Sequence, residues 1–161
     1  MVFLDLFQVK EVKDKLVSDA PTLWKLYKAK KSDFQYLSVD FSLVDGYISD
    51  WWEIDGKPLK TKMKIKKLKE HSKKFEDDIW CQFYELWYRV LNFDENFILP
   101  FSKNKEDKKQ IDVVAINDES ILLVECKSSE KFKNAPSFKD EFDVLNHRML
   151  GFRNALHQIF G

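Results

Sequence analysis

Three charged residues lie at the ends of two apolar segments in the C-terminal half of the chain. Asp112 opens the first segment, IDVVAI, and Glu125 and Lys127 close the second, ILLVECK. Residues two apart on a strand project from the same face, so Glu125 and Lys127 face one way and Cys126 faces the core. In a hairpin the start of one strand lies opposite the end of the next, which predicts that Asp112 and Glu125 lie close together.

Two carboxylates that converge on one point repel each other unless a cation lies between them. Mg²⁺ and Mn²⁺ prefer oxygen ligands, so Asp112 and Glu125 form a candidate metal site. A lysine two residues after a metal-binding glutamate is placed to hold and deprotonate a water molecule, which indicates Lys127 for hydrolytic chemistry. The alternative is a turn-capping aspartate beside an exposed ion pair, which contributes little. Zinc is not expected, because the three histidines form no ligand-like motif.

The sequence around these residues predicts a helix, three strands and a second helix. Apolar residues recur at helical spacing from about residue 68 to residue 92, and again from Ser137 onward. FILPF, IDVVAI and ILLVECK are short β-rich runs, and turn residues separate the last two. The apolar stripe of the final helix packs on the sheet or, since a 3-4 repeat is typical of paired helices, on a second copy of the chain. Its members are Phe142, Leu145, Met149, Phe152, Leu156 and Ile159.

This order resembles the PD-(D/E)XK nuclease superfamily, which has the restriction-endonuclease-like fold. The resemblance covers roughly residues 70–161: a helix, a strand, an Asp-bearing strand, a Glu-x-Lys strand and a helix. It looks closest to the Mrr-type and Holliday-junction-resolvase-like branches, in which "FE" opens the first helix and "ID" precedes "ECK". The order of motifs therefore predicts both the fold and the residues of the site.

The resemblance implies a role for each residue that matches the motif. Asp112 and Glu125 match the metal-binding carboxylates, the Cys126 carbonyl matches a backbone ligand, and Lys127 matches the lysine that activates water. Glu76 matches the acidic residue on the family's first helix. Its alternatives are three neighbouring acidic residues, or simple compensation of the helix dipole. Those neighbours are Asp77, Asp78 and Glu85.

The chain departs from the family pattern in two places. Ile111 stands where the family name implies proline, a change that is common in the branches named above. The family core usually adds a strand after its second helix, but here the sequence reaches Gly161 at the end of that helix. We therefore expect either a fragment of a longer protein or an N-terminal strand that completes the sheet.

The first 67 residues are predicted as an extension that precedes a core over residues 68–161. Residues 1–33 favour helices, and residues 34–66 hold three β-rich runs around Asp45-Gly46 and Asp55-Gly56. Asp-Gly pairs favour tight hairpin turns, so these runs predict a three-stranded meander. The predicted fold class is α/β (α+β): a restriction-endonuclease-like core of helix, three-stranded sheet and helix, with an N-terminal helical and β-meander extension.

The charge is balanced over the whole chain but not locally. Lysine and arginine total 27, as do aspartate and glutamate, which excludes a uniformly basic nucleic-acid-binding protein. Residues 57–74 nevertheless carry nine lysines and one glutamate. Such lysines either protect an edge strand against aggregation or contact nucleic-acid phosphates. The candidates for DNA contact are Lys60, Lys62, Lys64, Lys66, Lys108, Lys109, Ser128 and Lys131.

The expected function is hydrolysis of DNA phosphodiester bonds by a nuclease that depends on Mg²⁺ or Mn²⁺. The alternative is a non-catalytic nucleic-acid-binding or assembly module of the same fold within a larger DNA-defence or DNA-modification protein. We also expect DNA as a partner, a homodimer and further domains of a longer chain. Without a membrane-length apolar run, an export signal or a C-x-x-C pair, the sequence favours a cytoplasmic location and reduced cysteines.

Overall fold

The computed structural model describes residues 6–94, 97–100, 107–127 and 135–160, and these form a mixed α+β fold. The helices are α1 (Leu6–Asp14), α2 (Ala20–Lys31), α3 (Val44–Ser49), α4 (His71–Glu85) and α5 (Ala135–Phe160). The strands are β1 (Leu16–Val17), β2 (Phe34–Asp40), β3 (Glu53–Ile54), β4 (Lys62–Leu68), β5 (Val90–Asn92), β6 (Ile98–Pro100), β7 (Lys108–Gln110), β8 (Val113–Ile116) and β9 (Ile121–Val124). A turn of 3-10 helix spans Phe41–Leu43.

The main sheet is antiparallel, with strand order β1-β5-β8-β9, and has helices on both faces. The alternation along β8 shows this directly. Val113 and Ala115 pack in one buried cluster with Trp80 of α4, whereas Val114 packs in another with Phe152 of α5. Because successive strand residues face opposite sides, a run of buried apolar residues needs cover on both.

The hairpin of β8 and β9 has the predicted position. Val113 is paired with Val124 and Ile116 with Ile121. The side chain of Asn117 holds the turn, because its Oδ1 accepts hydrogen bonds from the backbone nitrogens of Glu119 at 3.0 Å and Ser120 at 2.8 Å. This register fixes Asp112, just before β8, beside the residues that follow β9.

The predicted helix to residue 92 is too long. Helix α4 ends at Glu85 and the chain turns into strand β5. Trp87 adopts a left-handed conformation with φ 69°, and the backbone nitrogen of Tyr88 bonds to the carbonyl of Phe83 at 3.1 Å. This is a Schellman-type helix end, which glycine normally makes, so a tryptophan at this position does not predict it. Val90 fits the helical spacing by coincidence and belongs to the sheet.

The core sheet has four strands rather than the predicted three. The predicted strand FILPF is not part of this sheet, because Ile98–Pro100 form β6, which pairs with β7 in a separate two-stranded sheet. Its place is taken by β5, at the end of the predicted helix. The other strand that was not predicted is β1, where Leu16 pairs with Asn92 and Val17 with Leu91. It connects two helices in a region predicted as mostly helical, and at two residues it is too short to leave a periodic pattern. An N-terminal strand thus joins the sheet, next to β5.

The prediction of a meander in the second sheet is wrong, although the three strands exist. Their order is β2-β4-β3, so β4 is central and both neighbours pair with it antiparallel. Asp45-Gly46 lies inside α3, where Asp45 occupies the first helical turn and the glycine needs no positive φ. Gly56 has φ 85° and begins a loop between β3 and β4. The lysines of β4 therefore do not protect an edge strand.

The apolar stripe of α5 divides into two parts. Phe152 and Ile159 are buried in the cluster that includes Val12 and Val114, which confirms packing against the sheet. Phe142 and Met149, nearer the start of the helix, remain exposed. Within the part of the chain that the structure describes, no helix is both long and apolar enough to span a membrane.

Candidate functional site

The β8–β9 hairpin brings Asp112, Glu125 and Lys127 together at one end of the main sheet. The backbone nitrogen of Cys126 donates a hydrogen bond to Asp112 Oδ2 at 2.6 Å. Lys127 Nζ donates to Glu125 Oε1 at 2.7 Å. The structure thus places the three residues as the hairpin prediction requires. Asp112 is hydrogen-bonded to the backbone of Cys126, the residue that directly follows Glu125.

The two carboxylates have opposite electrostatic surroundings. Burial raises the pKa of Asp112 above its ordinary value, and the nearby charge of Glu125 raises it further. Burial would also raise the pKa of Glu125, but hydrogen bonds from Lys127 and Lys109 hold that pKa below its ordinary value. Like charges and partial burial penalise the ionised Asp112, and a bound cation would remove that penalty.

Lys109, predicted only as a DNA contact, is part of this site because it contacts Glu125. It lies on β7, and its Nζ is 3.2 Å from Glu125 Oε1. The two-stranded sheet of β6 and β7 positions it, with Leu99 paired to Lys109. Lys108, its neighbour, is exposed, as alternation along a strand requires. Lys108 and Lys109 stand together among the predicted DNA contacts, because the three-residue strand β7 leaves no recognisable pattern in the sequence.

Asn92 is a buried residue that the sequence reasoning missed. Its side-chain nitrogen donates to the backbone carbonyl of Asp112 at 3.0 Å, and its Oδ1 accepts from the nitrogen of Val114 at 3.0 Å. The side chain therefore continues the ladder between β5 and β8 and fixes the backbone on both sides of residue 113. The sequence feature that could have indicated this role is the polar Asn92 directly after the apolar residues Val90 and Leu91, since a buried amide needs hydrogen-bond partners.

The site opens into a cavity of about 410 Å³. Lys109, Glu125 and Lys127 line one part of it, and residues of α5 line the rest. The cavity gives the carboxylate of Glu125 access to a ligand, although Glu125 is only partly exposed.

Glu76 lies close to Cys126 but not in this cavity. Its negative charge helps to raise the pKa of the Cys126 thiol, which burial raises most, to about 12. Glu76 instead lines a second cavity of about 320 Å³ beside Lys67 and Lys73. The structure thus places Glu76 near the site from the α4 side, without joining it to Asp112 and Glu125.

Asp77, the neighbour of Glu76, is buried and surrounded by lysines. Its side chain is 4% exposed, and lysines from three different elements or connections approach it. Lys69 Nζ lies 2.8 Å from it, Lys30 Nζ 2.9 Å and Lys73 Nζ 3.6 Å. Burial alone would raise the pKa of Asp77, but these lysines hold it below its ordinary value. Asp77 is therefore committed to an ion cluster that joins α2, α4 and the end of β4.

The lysine-rich strand β4 has one apolar side and one basic side, as its alternation predicts. Ile65 is fully buried, whereas Lys62 and Lys64 are exposed. Lys64 Nζ lies 2.8 Å from Asp55 Oδ2 and 4.6 Å from the ring centre of Tyr36. Lys66 makes similar contacts at 3.7 Å and 5.1 Å with Asp55 and Phe34.

These contacts leave the lysine face less basic than its sequence suggests. Asp55 compensates part of the charge of Lys64 and Lys66, while Lys60 and Lys62 are exposed at one end. The face remains a candidate for phosphate contact. The two other candidates for DNA contact, Ser128 and Lys131, lie outside the described residues.

The possible metal ligands of this site are suited to Mg²⁺, which needs few protein ligands, rather than to a metal that side chains surround completely. In the described ranges, three or more His, Cys, Asp or Glu side chains nowhere group closely enough to hold a metal. Mg²⁺ is usually held by one or two carboxylates, with water and substrate phosphates completing its shell. Asp112 and Glu125 provide those carboxylates. The Cys126 thiol is protonated at neutral pH, so only its backbone carbonyl is a suitable ligand.

No family model, curated protein or solved structure matches this chain. Function is therefore inferred from the geometry and chemistry of the site.

Proposed function

We propose that this protein is a metal-dependent nuclease that hydrolyses DNA phosphodiester bonds. The observation that carries the proposal is that the β8–β9 hairpin brings Asp112 beside Glu125 and Lys127, of which Glu125 and Lys127 line one cavity. The strands of the main sheet between α4 and α5 are β5, β8 and β9, with the separate β6–β7 pair inserted after β5. Apart from that insertion, they follow the helix, strand, strand, strand, helix order of a restriction-endonuclease-like core, which supports the proposal further.

Asp112, Glu125 and the Cys126 carbonyl would hold Mg²⁺ or Mn²⁺. In extended backbone a residue's carbonyl faces the same neighbouring strand as its N–H, and the N–H of Cys126 points at Asp112. A bound divalent ion supplies charge stabilisation for the phosphate oxygens and lowers the pKa of water. These oxygen donors are suited to it.

Lys127 positions the attacking water and contributes to its deprotonation. Its Nζ lies 2.7 Å from Glu125 Oε1, so the half-exposed ammonium is held beside that carboxylate. Lys109 approaches the same Glu125 oxygen from the opposite strand pair, and both cations lie where a phosphate diester would enter. The resemblance implies in-line hydrolysis that leaves a 5′-phosphate. Glu76 would act from outside the first ligand shell.

One observation favours the non-catalytic alternative. Two lysines already compensate Glu125 at 2.7 Å and 3.2 Å, so the cluster is electrostatically satisfied without a cation. A nucleic-acid-binding or assembly module of the same fold could retain such a cluster for stability alone. In that case the carboxylates would contribute nothing to phosphodiester hydrolysis.

Plasmid cleavage distinguishes the two functions. Wild-type protein is incubated with supercoiled DNA in Mg²⁺, in Mn²⁺ and in EDTA, beside Lys127→Ala. The nuclease proposal predicts nicking that EDTA abolishes and that Lys127→Ala reduces at least about 100-fold. Cleavage that is equal in the two proteins would contradict the role of Lys127, and binding without cleavage would favour the module.

A further inference from the structure

The cavity beside Glu125 has two unlike walls. One wall is polar and carries Lys109, Glu125 and Lys127. The other is α5, which presents Phe142 together with other apolar residues. This second wall is not needed for metal binding or for contact with a phosphate, so it requires a separate explanation. The apolar residues of the α5 wall are Phe142, Val144, Leu145 and Phe152.

The apolar wall comes from the part of α5 that the core leaves uncovered. Phe142 is 62% exposed and Val144 is 48% exposed, whereas Phe152, further along the helix, is 1% exposed. Burying a phenylalanine gains free energy, so one that faces a cavity instead is an available contact for a ligand. At about 410 Å³ the cavity falls within the usual range for small-ligand sites.

Charge varies along the same helix wall. Arg148 and Asp140 both line the cavity, and eight residues of helix separate them by about 12 Å. An anion is therefore favoured at the Arg148 end and disfavoured at the Asp140 end. An occupant that complements these walls has a negatively charged part for the cations and a flat apolar part for Phe142.

We propose that this cavity binds an unpaired nucleotide of the DNA substrate, with its base on Phe142 and its phosphate between Lys109 and Arg148. This inference rests on the proposed nuclease function and names the substrate class of that site. An unpaired base exposes a face that can stack on an aromatic ring, whereas bases within a duplex are stacked on each other. The preferred substrates are therefore single strands, overhangs and flaps rather than continuous duplex.

Binding measured without a metal tests this separately from catalysis. Fluorescence anisotropy in EDTA compares a labelled single-stranded oligothymidylate with a blunt duplex of equal length, for wild type and Phe142→Ala. We expect tighter binding of the single strand, and a loss of about 5- to 100-fold in that affinity for Phe142→Ala. Phe41→Ala, which changes another exposed phenylalanine, should bind as wild type does.

Arg148→Ala tests the phosphate end of the cavity, with Arg153→Ala on the same helix as its control. The dependence of log affinity on log salt should become shallower by about 0.7 for Arg148→Ala, as expected for one lost phosphate contact, and should not change for Arg153→Ala. Circular dichroism confirms that each variant is folded.

The outcomes separate this inference from the nuclease proposal. Equal affinity for single strand and duplex, or no effect of Phe142→Ala, would overturn the unpaired-nucleotide site even in a protein that cleaves plasmid. A protein that binds single strands through Phe142 but cleaves no DNA in Mg²⁺ or Mn²⁺ would overturn the nuclease function and leave the binding site in place.

Discussion

Two clusters of carboxylates and lysines in this protein differ in burial and in charge balance. At the junction of α2, α4 and β4, Asp77 is nearly buried and three lysines surround it. At the end of the β8–β9 hairpin, two lysines contact Glu125, which lines a cavity, and Asp112 lies beside this group. The first cluster has more cations than anions, and Asp77 lines neither of the two cavities described above. The second has equal numbers, lies partly open, and can accept another cation.

The pKa shifts show the same difference. The pKa of Asp77 is lowered, because its lysines outweigh the penalty of burial. The pKa of Asp112 is raised, first by burial and then by Glu125. A carboxylate whose charged form the fold penalises is a candidate functional group, whereas a lowered pKa, which Glu125 shares with Asp77, fits either role. The number of ion pairs alone does not separate the two roles.

The largest expected effect is on catalysis at the open cluster. Glu125→Gln removes one charge from the proposed metal site and should reduce plasmid cleavage by about 100-fold or more, since metal and water positioning both depend on it. The free energy of unfolding should fall less than it does for Asp77→Ala, because Lys109 and Lys127 are partly exposed and stay solvated when the charge is lost.

Glu85→Gln is the matched control for this change. Glu85 also accepts hydrogen bonds from a lysine, Lys31 at 3.0 Å, and from Tyr27 at 2.7 Å, but it lies on an exposed surface. Its cleavage rate should equal that of wild type. If Glu85→Gln lost as much cleavage activity as Glu125→Gln, the effect would not be specific to the cluster at the end of the β8–β9 hairpin.

The second largest effect is on stability at the closed cluster. Asp77→Ala leaves Lys30 and Lys69 without their buried partner and should lower the free energy of unfolding by about 3–5 kcal/mol, measured in urea. Asp78→Ala, at the half-exposed next residue, should cost less than about 1 kcal/mol. A mild effect of Asp77→Ala would show that the ion cluster is not structural.

Asn92 links the open cluster to the core, and its removal should have an intermediate effect. Asn92→Ala leaves the Val114 N–H and the Asp112 carbonyl without their side-chain partner, which should cost about 1–3 kcal/mol. Cleavage at a temperature where the variant is folded should fall through a lower kcat, with KM nearly unchanged. Asn92→Asp keeps the acceptor for Val114 but loses the donor to Asp112, so unchanged kcat in that variant would exclude a positioning role.

The smallest effect is the pH dependence of stability, which should have opposite sign at the two clusters. Because the folded-state pKa of Asp77 is lowered, its stabilisation is complete above the unfolded value of about 3.9 and is lost as pH falls further. Because the pKa of Asp112 is raised, its ionisation destabilises the fold at neutral pH, and that cost disappears as pH falls through the raised value.

Asp112→Asn should therefore equal or exceed wild type in stability at pH 7, by less than about 1 kcal/mol. The difference should vanish below about pH 4, where the acid is protonated in both states. Urea unfolding between pH 3 and pH 8 measures this. A loss of stability in Asp112→Asn at pH 7 would show that Asp112 is held for structure.

The sequence predicted the elements that carry the site better than the way in which they assemble. The β8–β9 hairpin and the approach of Asp112 to Glu125 follow from apolar runs, a turn signal and strand geometry, all of which are local. The two short strands β1 and β7 left no periodic pattern, so an N-terminal strand could be expected only as one of two alternatives, and the position of Lys109 could not be predicted.

Other features depended on tertiary contacts that sequence spacing does not contain. Asp77 and Glu76 are adjacent in the chain, yet one is enclosed by lysines and the other lines a cavity, because the helix turns them to different sides. The Asp-Gly pair inside α3 shows the reverse: a strong local signal for a hairpin gave way to a helix. The φ of Trp87 is one that glycine usually adopts, so the end of α4 was also hidden.

Calorimetric titration with Mn²⁺ tests the central claim most directly. The account predicts that wild type binds Mn²⁺, that Asp112→Asn does not, and that Lys73→Ala, which removes a lysine 3.6 Å from Asp77, binds as wild type does. No binding by wild type, or equal binding by wild type and Asp112→Asn, would contradict a metal site at the end of the β8–β9 hairpin.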